Sequence, residues 1–128
     1  MPFESVIYPQ RRLIVTTGTG VLTGEEGLAC CVGLKKRPEF DPSFDQLLDL
    51  TAATKFNASP DDMRRIAQES LFSPSSRRAI IAIEPGIFGL ARMFEAFRGL
   101  SDVGEQVSVF RDMKQALDWL SSPQVKSS

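Results

Sequence analysis

The chain contains no histidine. That removes the commonest general base, the commonest zinc ligand and the usual activator of a serine or cysteine nucleophile. Its two cysteines, Cys30 and Cys31, are adjacent. Neighbouring cysteines lack the usual metal-ligand spacing and rarely bridge each other, so a reducing compartment is expected. No apolar run approaches a membrane span, and no signal-peptide core follows the first Met. The expected location is the cytoplasm. A basic surplus is also lacking: 15 Lys and Arg face 16 Asp and Glu, for a net charge of −1. Proteins that neutralise phosphates carry such a surplus, so no nucleic-acid partner is expected.

What is present suits a single domain. A chain of 128 residues buries roughly two-thirds of its unfolded surface and needs no metal or disulfide to fold. Hydrophobic residues at 42% and charged residues at 24% are ordinary globular usage, which argues against disorder. Residues 1–120 read as one α/β domain and 121–128 as a flexible polar tail.

Phe3–Tyr8 reads as a strand, Pro9-Gln10 as a turn and Arg12–Thr19 as a second strand. The short connection implies an antiparallel hairpin, and Gly18 and Gly20 mark a bulge or strand end. Thr23 opens a helix with Glu26 three residues later, a capping box. Leu28, Cys31 and Val32 share its apolar face, with Cys30 nearly opposite. Three glycines, at 24, 27 and 33, weaken it. Phe44–Thr51 holds a third strand centred on Leu47–Leu50, and Ala52–Ala58 reads as a loop. Ser59-Pro60-Asp61-Asp62 is a strong helix start. Met63, Ile66, Ala67 and Leu71 follow as its apolar stripe. Ala79–Ile83 reads as a strand buried on both faces. Ile87, Leu90, Ala91, Phe94 and Phe97 give a third helical stripe. Gly99–Gly104 reads as a loop, Gln106–Phe110 as a fifth strand, and Met113, Ala116, Leu117 and Leu120 as a fourth helix. The order β-β-α-β-α-β-α-β-α predicts a five-stranded mixed sheet with four helices and right-handed crossovers.

Few residues invite a chemical role. Arg11-Arg12, Lys35-Lys36-Arg37, Arg64-Arg65 and Arg77-Arg78 read as solvated charge. Asp41, Asp45 and Asp49 fit strand-end and turn roles better than a metal cluster. Gly18-Thr19-Gly20 lacks the lysine ending of a phosphate loop. Cys31 reads as core, and no basic residue near Cys30 precedes Lys35 to activate it. Ser59 serves as an N-cap. Phe88 falls off the stripe of its helix and Met93 sits at the edge of that stripe, so both are candidate contact residues.

Five phrases carry a family resemblance: RRLIVTTGTGVLTGEE at 11–26, FDPSFDQLLDLTAAT at 40–54, SRRAIIAIEP at 76–85, FGLARMFEAF at 88–97 and VSVFRDMKQALDWL at 107–120. In their order and spacing they resemble the STAS-like domains related to bacterial anti-sigma-factor antagonists. The small stand-alone SpoIIAA-like branch, of unassigned function, is the nearest in character. The resemblance implies a protein-interaction or ligand-sensing domain. In antagonists of this type a serine after the third strand is phosphorylated, which breaks partner binding. Asp49-Leu50-Thr51 matches the strand end before that serine, and Asn57-Ala58-Ser59-Pro60 falls where the modified phrase would stand. Alanine replaces the modified serine, proline replaces a glycine, and Ser59, the residue left for phosphorylation, lies one position late.

A non-enzymatic regulatory or interaction domain therefore ranks first, with a protein partner or self-association through Ser59, Phe88 and Met93. A domain binding a small apolar ligand or lipid ranks second, in line with a remote resemblance of STAS-like to CRAL-TRIO domains. An enzyme ranks last, since no mutually supporting catalytic set is visible; no cofactor and no metal are expected. A ligand binder predicts an enclosed pocket walled by the helix at 87–98. An interaction module predicts a filled core and an exposed apolar patch.

Overall fold

The computed structural model describes residues 2–69, 72–100 and 104–122. Apolar residues two apart drive five strands: β1 (Phe3–Tyr8), β2 (Leu13–Thr23), β3 (Asp45–Asn57), β4 (Arg77–Ile81) and β5 (Gln106–Phe110). Four helices alternate with them: α1 (Gly24–Lys35), α2 (Pro60–Gln68), α3 (Pro85–Gly99) and α4 (Met113–Ser121). The strands lie side by side in the order β1-β2-β3-β4-β5. β1 pairs antiparallel with β2, and every later pairing is parallel. The five-stranded mixed sheet expected from the sequence is what forms. Leu71, residues 101–103 of the expected loop, and residues 123–128 of the expected tail lie outside the described residues.

Side-chain alternation divides the core in two. Leu22, Leu50, Ile80, Ile87 and Phe94 pack on the face that carries α2 and α3. Leu47, Ala79, Ile81 and Ala116 pack on the face that carries α4. β4 is buried along its whole length, the signature of a central parallel strand covered on both sides. It begins at Arg77, two residues before the expected start, and Ile83 is exposed rather than in the strand.

One further expectation is corrected. Residues 52–57 are strand, not loop: they continue β3 beside residues 19–23 of β2, as far as Thr23 against Asn57. Only β2 flanks them there, so most of their side chains are exposed and the apolar alternation fades. The glycines at 18 and 20 do accompany shifts in the β2–β3 register, and Gly20 takes a positive φ of 69°.

The glycines of α1 do more than weaken it. Gly24 and Gly27 are the buried points of its first turns. A Cβ on Gly24 would stand 2.7 Å from Asp62 Oδ2, and one on Gly27 would stand 3.2 Å from Ile66 Cδ1. Their bare backbones let α1 lie close against α2. Gly24→Ala is therefore expected to destabilise the fold by about 1–3 kcal/mol, despite alanine's better helix propensity. Urea unfolding measures it, and a neutral or stabilising result would refute the close contact.

Candidate functional site

A row of polar side chains crosses the face of the sheet beneath α1, α2 and α3. Strand pairing aligns it: Ser5 on β1 lies opposite Thr16 on β2, and Gln46 on β3 lies opposite Arg78 on β4. Ser5 Oγ and Thr16 Oγ1 are 2.8 Å apart. Gln46 Nε2 donates to Thr16 Oγ1 at 2.9 Å, and its Oε1 accepts from Arg78 Nε at 2.9 Å. Arg78 Nη1 then donates to Glu105 Oε2 at 2.9 Å. Arg98, near the end of α3, gives two bonds to Glu105 Oε1, at 3.1 Å from Nε and 2.6 Å from Nη2. Its Nη1 donates to Ala67 O at the end of α2.

This row is buried: relative exposure is 7% for Arg78, 9% for Arg98 and 4% for Glu105. Burial alone would raise the Glu105 carboxyl, but the Arg78 and Arg98 guanidiniums outweigh it and hold its pKa below the ordinary range. Arg78 is also sandwiched by rings, with its guanidinium carbon 4.6 Å from the Phe72 centroid and 5.0 Å from that of Phe94.

Above the row lies a partly open cavity of about 70 Å³. That is several times the space one water needs. Thr16, Gln46 and Arg78 form its polar floor. Cys30 and Cys31 of α1, Ile66 of α2, and Ile87, Ala91 and Phe94 of α3 are among its walls. Both cysteines face this space, which corrects the expected opposition of Cys30 to Cys31. Burial pushes both thiols up from their ordinary pKa.

Arg77 and Arg78 overturn the reading of that pair as solvated charge. Successive strand residues point to opposite faces, so the two arginines serve different cores. Arg77 is buried among the α4 contacts, where Nη1 donates at 2.7 Å to both Trp119 O and Ser122 O. There it ties down the last carbonyls of α4. The other basic runs are largely exposed.

The remaining sequence candidates take separate places. Ser59 is exposed and caps α2: Asp62 N donates to its Oγ at 3.1 Å, and Ser59 N donates to Asp62 Oδ2 at 2.9 Å. Ser59→Ala is expected to cost about 1 kcal/mol of stability, read as a lower urea midpoint. No change would mean that the cap carries no weight. Phe88 is half-buried, and the Arg111 guanidinium carbon lies 4.0 Å from its ring centroid. Met93 packs partly buried against the main core. Neither Phe88, Met93 nor Ser59 lines the cavity. Asp41 accepts from Ser43 in its turn, Asp45 at the start of β3 accepts from Arg77 N, and Asp49, inside β3 and not at the expected strand end, accepts from Thr51 N. Among the described residues no three His, Cys, Asp or Glu side chains gather as a metal site. No helix among the described residues is long and apolar enough to cross a membrane.

A solved structure has the same architecture. It is an uncharacterised protein of the DUF3478 family from Shewanella loihica PV-4, described as having a SpoIIAA-like fold. The two align with a TM-score of 0.57 at 20% identity, over 92% of this chain and 91% of that one. The fold is SpoIIAA-like. No family model matches the sequence, and no curated protein matches it. Within the SpoIIAA-like sheet, Ser5, Thr16, Gln46, Arg98 and Glu105 of the buried row carry no expected role, and Arg78 was expected only as solvated charge. The available signals were local: Arg78 directly precedes AIIAI, Glu105 directly precedes QVSVF, and Gln46 directly precedes the apolar pair Leu47-Leu48.

Proposed function

We propose that this chain acts by binding a small molecule with an apolar body, and that it performs no catalysis. The observation that carries this reading is the unfilled space between the sheet and α1, α2 and α3, walled in part by Ile87, Ala91 and Phe94 of α3. Protein interiors ordinarily close such gaps, because a void forfeits packing contacts. A cavity of about 70 Å³ is roughly half the size of one that holds benzene, so the fitting body is short, on the order of three to five carbons. The lack of histidine and the raised thiols leave no activated nucleophile to work on it. A cytoplasmic location accompanies this reading, supported by the free cysteines.

Methyl NMR during titration with 1-butanol tests it. Shifts are expected at Ile80, Ile87 and Leu90, and Ala91→Leu, which fills the cavity, is expected to abolish them. Shifts spread over the surface, or unchanged in Ala91→Leu, would refute the reading.

A second observation favours a partner or self-association. Among the described residues, α4 packs on β4 and β5 on its side of the sheet, and no helix covers the antiparallel edge there. Val6 and Tyr8 point out there beside Leu13 and Val15, and Val6 and Tyr8 are exposed. Sedimentation at rising concentration tests self-association, with Val6→Lys expected to hold the chain monomeric. A wild-type monomer throughout would remove the self-association form of this reading.

A further inference from the structure

We infer that the ligand of this cavity is a small carboxylate whose charged end is held by Arg78 and whose short apolar tail lies against α3. The inference rests on the ligand-binding reading above and adds the charge of the ligand to it.

Charge is the first argument. Among the described residues of the buried row, Arg78 and Arg98 bring two positive charges and Glu105 brings one negative charge. The other partners of the two arginines are neutral: Gln46 and the carbonyl of Ala67. A buried guanidinium is costly unless paired, and one carboxylate answers only one of the two. Glu105 leans toward Arg98, which holds it with two bonds to the one given by Arg78. None of the cavity-lining residues is acidic, and the raised pKa of Cys30 and Cys31 keeps them neutral. The whole chain carries a charge of −1, so this interior surplus runs against the global balance.

Geometry is the second argument. Arg78 spends Nε on Gln46 and Nη1 on Glu105, while Nη2 makes no hydrogen bond among the described residues. Arg77 Nε is the one fully buried, unpartnered side-chain nitrogen or oxygen among them, so Arg78 Nη2 is not sealed in protein. Arg78 lines the cavity, which is the space left for that nitrogen to face. Gln46 lines it too, and its Nε2 has a second N–H beyond the one given to Thr16. Two such donors suit the two oxygens of a carboxylate. Beyond them the walls turn apolar at Ile80, Ile87, Ala91 and Phe94, which suits a short hydrocarbon tail and not a free inorganic anion.

The test compares sodium butyrate with 1-butanol on the full wild-type chain, at constant ionic strength. Butyrate is expected to bind at least about tenfold tighter, because it gains a charge-assisted bond the alcohol cannot match. It should shift the Arg78 Nε–H signal and raise Tm with concentration. Ala91→Leu should abolish binding of both. Arg78→Gln should remove the preference for butyrate; since that variant perturbs the core, the wild-type comparison stands without it. Equal binding of the two probes would overturn the carboxylate inference and leave the ligand-binding reading intact. Binding of neither would overturn both, and would make the cavity a site for water only.

Discussion

Glu105→Ala is expected to destabilise the protein by about 3–5 kcal/mol, a fall in Tm of roughly 10 °C or more. The side chain is small enough to lose without a large void, so the cost is electrostatic. Its removal leaves Arg78 and Arg98 buried with no carboxylate between them. A guanidinium out of water is expensive when unpaired, whereas replacement of a whole buried ionic set by apolar groups is often nearly neutral. The triple variant Glu105→Leu, Arg78→Met, Arg98→Met should therefore be far milder than Glu105→Ala alone, at the smaller cost of partners lost by Gln46 and Ala67 O. Urea unfolding of the two variants decides the matter; equal losses would mean that packing, not charge, holds this region. Acid gives an independent readout. The folded Glu105 carboxyl titrates below its ordinary value, so its stabilising contribution is complete above the ordinary carboxylate range. That contribution is lost as pH falls below the ordinary carboxylate range and through the depressed folded value. Glu105→Ala should lack this part of the acid dependence.

Phe94→Ala is the second large effect, also about 3–5 kcal/mol. Phe94 is buried, lines the cavity and presents its ring to Arg78. Truncation adds its volume to a space already open, so little collapse will offset the loss. The urea midpoint should fall with an unchanged m-value. The enlarged cavity should bind 1-butanol more tightly than wild type does, and a weaker affinity would place the alcohol somewhere else.

The parts of the fold written in local chemistry were legible in the sequence. Thr23 with Glu26, and Ser59 with Asp62, announce α1 and α2, because a cap is made by residues three apart. β5 has the predicted bounds, Gln106–Phe110. What escaped depends on distant neighbours. The end of β3 reads as a loop because only β2 covers it, and most of its exposed residues, Thr54, Lys55 and Asn57, are polar. Arg78 reads as surface charge because its carboxylate partner is Glu105, on the far side of α3 in the chain. The cavity is less legible still: it is a shortfall of packing among helices that each look well formed on their own.

The long β2–β3 ladder also bears on how the molecule reaches this state. Leu13 pairs with Asp45 and Thr23 with Asn57, so each rung closes a loop containing all of α1. Loop-closure entropy must be met before those rungs stabilise anything, and parallel pairing of this kind makes folding slow. The β1–β2 hairpin closes over a single short turn, with Tyr8 against Leu13, and faces no such delay. It is therefore the natural early element. The β2–β3 ladder and the buried arginine row, which both need distant segments, then belong to the late, rate-limiting stage of folding.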